Sequence, residues 1–339
     1  MGRAFYSDSS QITLRVITIH DEAVNEDFWR GRLVEAIERR GDLSPSTTAY
    51  RWVHGEADGI PSLVCDRYGD YLSLQTLTAG TDRLKELFMR LWMELAEPAG
   101  IMERNDQKAR KLEGLPLVKE VAAGEIPSSV SVLEEGLELR VDLREGQKTG
   151  LFLDQRENRA AAKRHARGRA LDVFCYDGGF SLHLAGACES VLAVDTSAEA
   201  LARLRGNAEA NRFQNIEPRE ANGFDILREL ENRGERFDTI VLDPPAFAKN
   251  RSSVAAARRG YKDINLRAMK LLRPGGVLVT STCSYHVSEP TFLDILYEAA
   301  ADARSPMVLV EKRTQSRDHP ILLAMPETHY LKCVILRKL

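Results

Sequence analysis

Short hydrophobic runs without internal polar alternation dominate the second half of the chain. They occupy residues 169–174, 190–195, 238–243 and 276–282. Helical stretches separate these runs, a pattern typical of a parallel sheet covered by helices on both faces. It predicts an α/β fold with a doubly wound, mostly parallel sheet. Two further runs, 307–312 and 329–339, have no helix between them and predict an antiparallel pair at a sheet edge.

The first half of the chain follows a different pattern. Residues 12–19 (ITLRVITI) alternate between apolar and polar positions and predict a strand that has lost its partners. Helices are predicted over Phe28–Arg40 and Thr81–Leu95. Between them, Gly59–Thr78 is typical of a hairpin whose turn contains Gly69, a residue suited to positive φ. These elements predict a small α+β domain.

The composition is that of an ordinary globular protein. Of the 339 residues, 43% are hydrophobic and 29% are charged, which excludes a disordered or fibrous chain. The length favours two domains, and the change of pattern places the α+β domain at residues 21–145 and a larger domain at residues 146–339. The net charge of −3 excludes a protein that is basic over its whole surface, although it is compatible with a local basic face.

Cysteine usage and hydropathy exclude several other classes. The five cysteines are scattered and include no CxxC pair, so we predict neither a disulfide scaffold nor a metal site. The first residues lack the apolar core of a signal peptide, and no apolar run reaches the roughly 18 residues of a membrane span. We therefore expect a cytoplasmic protein that binds neither membrane nor metal.

The strand ends carry the candidate chemistry, because a doubly wound sheet binds its ligand beyond the carboxyl ends of its strands. Gly178 and Gly179 follow the first run and would let a turn pass close to a ligand. The second run ends at Asp195, whose carboxylate could accept both hydroxyls of a ribose. A plain tight turn and a helix N-cap are the alternative interpretations. The GxGxxG spacing of dinucleotide-binding sites is missing, which disfavours a dehydrogenase.

The residues at two further strand ends suit the binding and chemical modification of a planar base. In residues 243–247 (DPPAF) the prolines stiffen a loop that presents Asp243 as an acceptor and Phe247 as an aromatic surface. A plain strand-terminating loop is the alternative. Cys283 follows the run 276–282 and has polar neighbours, so we interpret it as a reactive nucleophile rather than a buried filler. The other four cysteines are interpreted as structural.

Two basic tracts flank the proposed cleft. Residues 144–169 hold eight basic and three acidic residues, and residues 249–273 hold eight basic and one acidic residue. Solvated helix faces are the usual explanation for such runs, but in a net acidic chain we favour contact with phosphates. The candidate contacts in the second tract are Lys249, Arg258, Arg259 and Lys262.

These motifs together resemble the class I S-adenosylmethionine-dependent methyltransferases. More closely, they resemble the bacterial RlmI-type family, which makes 5-methylcytosine in large-subunit ribosomal RNA. The most specific matching segments are GQKTGLFLDQREN (146–158), DVFCYDGGFSL (172–182), DPPAF (243–247), RRGYKDIN (258–265) and STCS (281–284). Shorter matches such as ERND, DHP and YLK extend the resemblance along almost the whole chain.

The resemblance implies a seven-stranded Rossmann-like methyltransferase sheet, S-adenosylmethionine as cofactor and large-subunit ribosomal RNA as partner. By this resemblance Asp195 would hold the ribose, Asn222 would reach the adenine, and Cys283 would face the cytosine. Asp243 would contact both the cofactor and the cytosine. The residues implied at the methionine end of the cofactor are Gln155, Arg156, Phe174, Tyr176, Asp177, Gly178 and Gly179.

Three features depart from what such relatives usually show. Phe174 and Tyr176 stand where the class usually has the two glycines of Gly-x-Gly, and this replacement is common in the family that the chain resembles. Position 246 is alanine, whereas many RNA cytosine methyltransferases carry a second cysteine there, so the base for product release is unassigned. Residues 1–20 match only the last strands of a PUA-type RNA-binding domain, and we interpret them as its remnant.

The implied reaction is covalent, since carbon 5 of cytosine is a poor nucleophile until a thiolate adds to carbon 6. Two alternatives stay open. One is a base N-methyltransferase on the same fold, which acts on guanine N7 or an exocyclic amine and needs no thiol. The other is a non-catalytic RNA-binding factor in ribosome assembly. The sequence also leaves open whether the chain forms a homodimer.

Overall fold

The computed structural model describes residues 2–248 and 250–339. It divides into two compact units. The first contains the residues up to Leu153 together with Arg317–Thr328, and the second contains Asp154–Ser316 together with His329–Leu339. None of the helices in the described ranges combines the length and the apolar character that a membrane crossing requires.

The first unit is built on a five-stranded sheet. Its helices and strands in chain order are β1 (Arg3–Tyr6), β2 (Leu14–Thr18), α1 (Glu26–Glu38), β3 (Ala49–His54), β4 (Leu63–Tyr68), β5 (Tyr71–Thr76), α2 (Ala79–Arg83), α3 (Lys85–Ala96), β6 (Gly100–Asn105), β7 (Val118–Gly124), β8 (Val130–Glu134) and β9 (Leu137–Val141). The sheet order is β3-β4-β5-β6-β7, and β1-β2 and β8-β9 form separate antiparallel pairs. The unit therefore belongs to the α+β class.

Local sequence accounts for most elements of this unit. The hairpin predicted around Gly69 is confirmed as β4 and β5, and Gly69 has a φ of +61°. The helix predicted over Thr81–Leu95 is instead two helices, because the backbone at Leu84 leaves the helical region. Asp82, in the short first helix, accepts hydrogen bonds from Thr76 Oγ1 and from Arg110, which anchor that turn.

The second unit is built on a seven-stranded sheet. Its elements are α4 (Arg156–His165), β10 (Arg169–Val173), α5 (Gly179–Ala185), β11 (Ser190–Asp195), α6 (Ala198–Ala210), β12 (Ile216–Glu220), α7 (Gly223–Asn232), β13 (Phe237–Leu242), α8 (Val254–Leu271), β14 (Leu272–Thr282), α9 (Glu289–Asp302), β15 (Met307–Arg313) and β16 (Lys332–Lys338). The strand order is β12-β11-β10-β13-β14-β16-β15. The first five strands are parallel, and β16 is antiparallel to both of its neighbours. The predicted antiparallel pair at one edge is confirmed.

Alternate residues of each central strand face two different hydrophobic cores. Leu171 belongs to the core that contains Ile264 of α8 and Phe292 of α9. Its neighbour Ala170 belongs to the core that contains Ala161 of α4 and Leu184 of α5. Burial on both faces is the physical reason that the strands read as continuous apolar runs. The carboxyl ends of the five parallel strands then lie at one edge of the sheet.

Candidate functional site

The turn after β10 has the backbone shape that glycine usually provides, although two of its residues are not glycine. Phe174 and Tyr176 have φ values of +70° and +50°, a conformation that is uncommon and strained for such side chains. The amides of Phe174 and Cys175 donate to the carbonyl of Val194 at 2.9 and 3.0 Å, which holds the turn against β11. At Gly178, with a φ of +88°, an added Cβ would lie 2.0 Å from Leu204 Cδ1. Glycine is thus required at position 178.

Asp195 joins this turn to the end of β11. Its Oδ2 accepts from the amide of Tyr176 and its Oδ1 from the amide of Ser197, each at 2.9 Å. The N-cap of α6 is Ser197, whose side chain accepts from the Ala200 amide. Asp195 is therefore not the helix cap, and its carboxylate lies half-buried at the carboxyl edge of the sheet.

A chain of hydrogen bonds fixes the carboxylate that follows β13. Gln155 Nε2 donates to Asp243 Oδ1 at 2.8 Å, and Asn158 Nδ2 donates to Gln155 Oε1 at 2.7 Å. Arg313 Nε in turn donates to Asn158 Oδ1 at 3.0 Å. Each amide is oriented by its neighbour, so Gln155 is held as a donor to Asp243. The structure thus brings together two predicted site residues, and sequence reasoning missed the two that support them.

A buried carboxyl that the sequence reasoning did not single out lies beneath the same edge. Asp172 of β10 is fully buried and its Oδ2 accepts from Ser181 Oγ at 2.6 Å. Within the described residues its Oδ1 has no hydrogen-bond partner. Burial, reinforced by the charges of Asp243 and Asp195, raises the pKa of Asp172 to about 7. The sequence feature that could have identified Asp172 is its position inside an apolar strand, because an aspartate is rarely fully buried without a specific partner or role.

Cys283 is the cysteine whose surroundings suit reactivity. It is half-exposed at the exit of β14, whereas the other four cysteines are buried. Burial raises the pKa of the Cys188 thiol to about 11 and that of Cys333 to about 12. Neighbouring parallel strands β13 and β14 pair Leu242 with Thr280. Asp243 and Cys283 therefore leave the sheet at the same edge. That they face a base stays a prediction.

A buried tyrosine ties the two loops of this edge together. The Tyr261 hydroxyl accepts from Thr282 Oγ1 at 2.8 Å and lies 2.9 Å from Ser284 Oγ. It also accepts from the amide of Phe247 at 3.4 Å. Ser284 Oγ accepts from the amide of Ala248 at 3.2 Å. Tyr261 was overlooked as a site residue, although it lies within the unusual string GYKDIN.

Phe247 is packed within an aromatic cluster. Its ring centroid lies 4.6 Å from that of Tyr261, 5.6 Å from Phe224 and 6.4 Å from Phe174. The residue is half-buried, so only its remaining surface is open to a ligand. Its role as a stacking platform stays a prediction.

The basic residues predicted to contact phosphate differ in their surroundings. Arg258 and Lys262 form ion pairs with Glu298, at 3.0 and 3.5 Å, and Lys262 also pairs with Asp302 at 2.8 Å. Arg259 is exposed, and within the described ranges it belongs to none of the ion pairs. Lys249 lies outside the described residues. Arg258 and Lys262 therefore belong to a solvated helix face with salt bridges, the usual explanation for a basic tract. Arg259 is the better candidate for phosphate contact.

The remaining predicted contacts lie at or near this edge. Asn222 is the exposed N-cap of α7 and accepts from the amide of Phe224. Arg156, at the start of α4, and Asp177 are buried. At Gly179 an added Cβ would lie 3.0 Å from Arg159 Cδ, so the guanidinium arm packs closely against the turn. The predicted roles of these residues stay predictions.

The polar groups of this edge suit a ligand that is cationic at one end and carries a diol. Asp172, Asp195 and Asp243 place three carboxyl groups around the ends of β10, β11 and β13, and the charges of Asp195 and Asp243 both raise the pKa of Asp172. A positive ligand group would relieve the unfavourable energy of that arrangement. A carboxylate at the end of the second strand is also the usual acceptor for ribose hydroxyls.

Comparison with known proteins places the chain among methyltransferases. A family model described as S-adenosylmethionine-dependent methyltransferase matches residues 117–336. The chain is 42% identical to ribosomal RNA large subunit methyltransferase I of Shewanella amazonensis, with 99% of the chain and 87% of the relative covered. It is 40% identical to the protein of the same name from Yersinia pseudotuberculosis, with 98% and 86% covered.

Solved structures share the fold at lower identity. The crystal structure of SMU.776 complexed with SAH has a TM-score of 0.86 and 21% identity, and covers 99% of this chain and 88% of that one. A SAM-dependent methyltransferase from Streptococcus mutans has a TM-score of 0.85 and 20% identity, with 99% and 88% covered. At this identity the likeness concerns the fold alone.

Proposed function

Because this chain belongs to the S-adenosylmethionine-dependent methyltransferases and, within them, to the family of ribosomal RNA large subunit methyltransferase I, we propose that it methylates carbon 5 of a cytosine in large-subunit ribosomal RNA. The observation that carries the proposal is the position of Cys283, half-exposed at the same strand edge as Asp243. A methyltransferase that acts on nitrogen has no use for a thiol at that position.

The residues present fit the cofactor of the family. S-adenosylmethionine has a sulfonium and an ammonium group, whose positive charge would be stabilised by Asp243 and, from beneath the edge, by the buried Asp172. Its ribose diol matches Asp195. Asn222 would reach the adenine. Gln155, Arg156 and the turn over residues 174–179 would hold the methionine end. When bound, the cofactor supplies an electrophilic methyl group.

The protein's own residues prepare the base for that methyl group. The Cys283 thiolate adds to carbon 6 of the cytosine, and the new S–C bond places electron density on carbon 5. Asp243, oriented by Gln155, accepts a hydrogen bond from the exocyclic amine or from protonated ring nitrogen 3, which stabilises the adduct. After methyl transfer, a base that stays unassigned takes the carbon 5 proton. The C–H electron pair then restores the ring double bond, the S–C bond breaks, and Cys283 leaves as the thiolate.

The target base has to leave its stack to reach this edge, and the open part of Phe247 would support it. Arg259 and Lys249 would contact the phosphates that flank it. We extend the proposal to the N-terminal unit, where residues 1–20 represent the end of a PUA-type domain and residues 21–145 contact RNA. The site of action would then be the cytoplasm, where ribosomal RNA is matured.

The test is nucleoside mass spectrometry after incubation of the full chain with labelled S-adenosylmethionine and unmodified large-subunit ribosomal RNA. We expect label in 5-methylcytosine. Cys283→Ala should lower the rate by on the order of a thousandfold or more, because the covalent route is lost. Cofactor affinity, measured by calorimetry, should change by less than about twofold, since the thiol is not proposed to hold the cofactor.

Cys188→Ala is the matched control, because Cys188 is buried just before β11, at the opposite edge of the sheet. It should retain the wild-type rate. Wild-type turnover by Cys283→Ala would remove the nucleophile from the mechanism. Label in a methylated purine would indicate a base N-methyltransferase, and a complete lack of label would favour the non-catalytic RNA-binding factor.

A further inference from the structure

Lys332, the first residue of β16, is a lysine buried beside the proposed nucleophile. Only 4% of its surface is exposed, which is rare for a lysine without a carboxylate partner. Its Cα is paired with that of Thr282 across the β14-β16 ladder. Its Nζ donates to the carbonyl of Ser284 at 3.3 Å. The lysine therefore spans the backbone of the very segment, Thr282–Ser284, that contains Cys283.

The contacts of the Lys332 amine leave its charge uncompensated. Its second hydrogen bond goes to the carbonyl of Tyr330 at 3.1 Å, and in the part of the chain that the structure describes Lys332 takes part in no ion pair. Burial lowers its pKa, whereas the nearby Cys283 and Glu289 raise it. Glu289 is itself paired with Lys312 at 2.6 Å. The thiolate form of Cys283 would stabilise the positive charge of the Lys332 ammonium.

Tyr261, which also interacts electrostatically with Cys283, cannot take this role. Tyr261 is within electrostatic reach of the thiol, but burial raises the pKa of its phenol, so it is a neutral hydroxyl at physiological pH. Its oxygen is already engaged with Thr282 and Ser284. Lys332, by contrast, carries a basic amine that can accept a proton from Cys283.

We propose that Lys332 is a positioning residue that activates Cys283: its side-chain amine takes up the thiol proton, and the resulting ammonium stays near the thiolate as its counter-ion. The S–H bond breaks, an N–H bond forms, and the electron pair remains on sulfur. When the thiolate is expelled from the product, the ammonium can return the proton. The inference rests on the proposed function, in which Cys283 is the nucleophile.

A thiol next to such a cation has a lowered pKa, so the reactivity of Cys283 towards iodoacetamide reports on the pair directly. The measurement uses the full chain without RNA, and mass spectrometry of the Cys283 peptide follows alkylation from pH 5.5 to 10. We expect a wild-type midpoint clearly below about 8.5, the ordinary value of a thiol. In Lys332→Met we expect the midpoint to rise by about one pH unit or more, with alkylation at pH 7 slower by about tenfold.

Lys338→Met is the matched control. Lys338 lies on the same strand, burial also lowers its pKa, and its Nζ also donates to two carbonyls, those of Met269 and Leu272. It is at the opposite end of β16, so its loss should leave the midpoint unchanged. Lys332→Arg keeps a cation that cannot accept the proton, so it should keep the midpoint low through its charge alone. If the methionine variant does not fold, a midpoint of Lys332→Arg at or above about 8.5 would overturn the counter-ion role.

A wild-type midpoint at or above about 8.5, or equal midpoints in the wild type and a folded Lys332→Met, would overturn the proposal. The outcome is separable from that of the proposed function, because alkylation needs neither RNA nor cofactor. If Cys283→Ala still methylates RNA while Lys332→Met shifts the alkylation midpoint of Cys283 as expected, only the role of Cys283 as nucleophile is rejected. If Cys283→Ala loses methylation but Lys332→Met leaves the alkylation midpoint of Cys283 unchanged, only the activation of Cys283 by Lys332 is rejected.

Discussion

Strain and unusual ionisation occur at single residues around the strand edge. Phe174 and Tyr176 adopt left-handed backbone conformations, at a cost of the order of 1 kcal/mol or more each. Hydrogen bonds from the turn to Val194 and Asp195 compensate for this strain. Residues held in such conformations cluster at functional sites, so Phe174 and Tyr176 mark this turn as part of the candidate site.

Asp172 should make the stability of the protein depend on pH. Its pKa in the folded state is about 7, well above the ordinary value of an aspartate in the unfolded chain. The folded state therefore binds the proton more tightly, and its stabilising contribution is complete below about pH 4 and lost as pH rises through 7. We expect the free energy of unfolding to fall by on the order of 3–4 kcal/mol over that interval.

Urea unfolding of the wild type, Asp172→Asn and Asp225→Asn at pH 5 and pH 8 would check this dependence. Asp172→Asn cannot ionise and should show a smaller loss of stability on going to pH 8. Asp225 is exposed on α7, so its replacement should leave the wild-type dependence intact. An equal change in the free energy of unfolding between pH 5 and pH 8 in all three proteins would contradict the raised pKa of Asp172.

Contacts between secondary-structure elements decide how the loops of the edge are held. Tyr261 of α8 joins the end of β14 to the loop after β13. Tyr261→Phe removes the shared hydroxyl and leaves buried polar groups without a partner, which typically costs about 1–3 kcal/mol. We expect a lower free energy of unfolding and a fall in methylation rate, because both loops lose their common anchor.

Tyr297→Phe on α9 is the matched control, since that side chain is 76% exposed. Chemical unfolding and initial methylation rates should be measured for both variants. The prediction fails if Tyr261→Phe is as stable and as active as Tyr297→Phe.

At the scale of the whole molecule, a net charge of −3 makes RNA binding depend on local basic residues. Arg258 is already paired with Glu298, whereas Arg259 is exposed. Arg259→Ala should therefore weaken binding to a ribosomal RNA fragment several-fold and reduce the slope of log K against log salt by about 1. Arg258→Ala should have a smaller effect on both, as measured by filter binding across salt concentrations. Equal effects of the two substitutions would reject the distinction.

The sequence by itself determined the properties that depend on near neighbours. Continuous apolar runs predicted the parallel strands because burial on both faces selects apolar residues at every position. Turn chemistry predicted the hairpin at Gly69. The order of elements and the motifs at the strand ends predicted the doubly wound sheet and indicated the methyltransferase family, since strand ends of a parallel sheet converge at one edge.

Only the tertiary structure decided which groups meet and which lose their water. Lys332 lies opposite Thr282, and Tyr261 reaches Ser284, through pairings between residues far apart in the chain. Burial, which no local pattern measures, raises the pKa of Asp172 and leaves Cys283 as the accessible thiol. Ion pairs with α9 engage two of the predicted phosphate contacts on α8. Charge and reactivity follow from these surroundings because solvation and neighbouring charges set the energy of each ionised group.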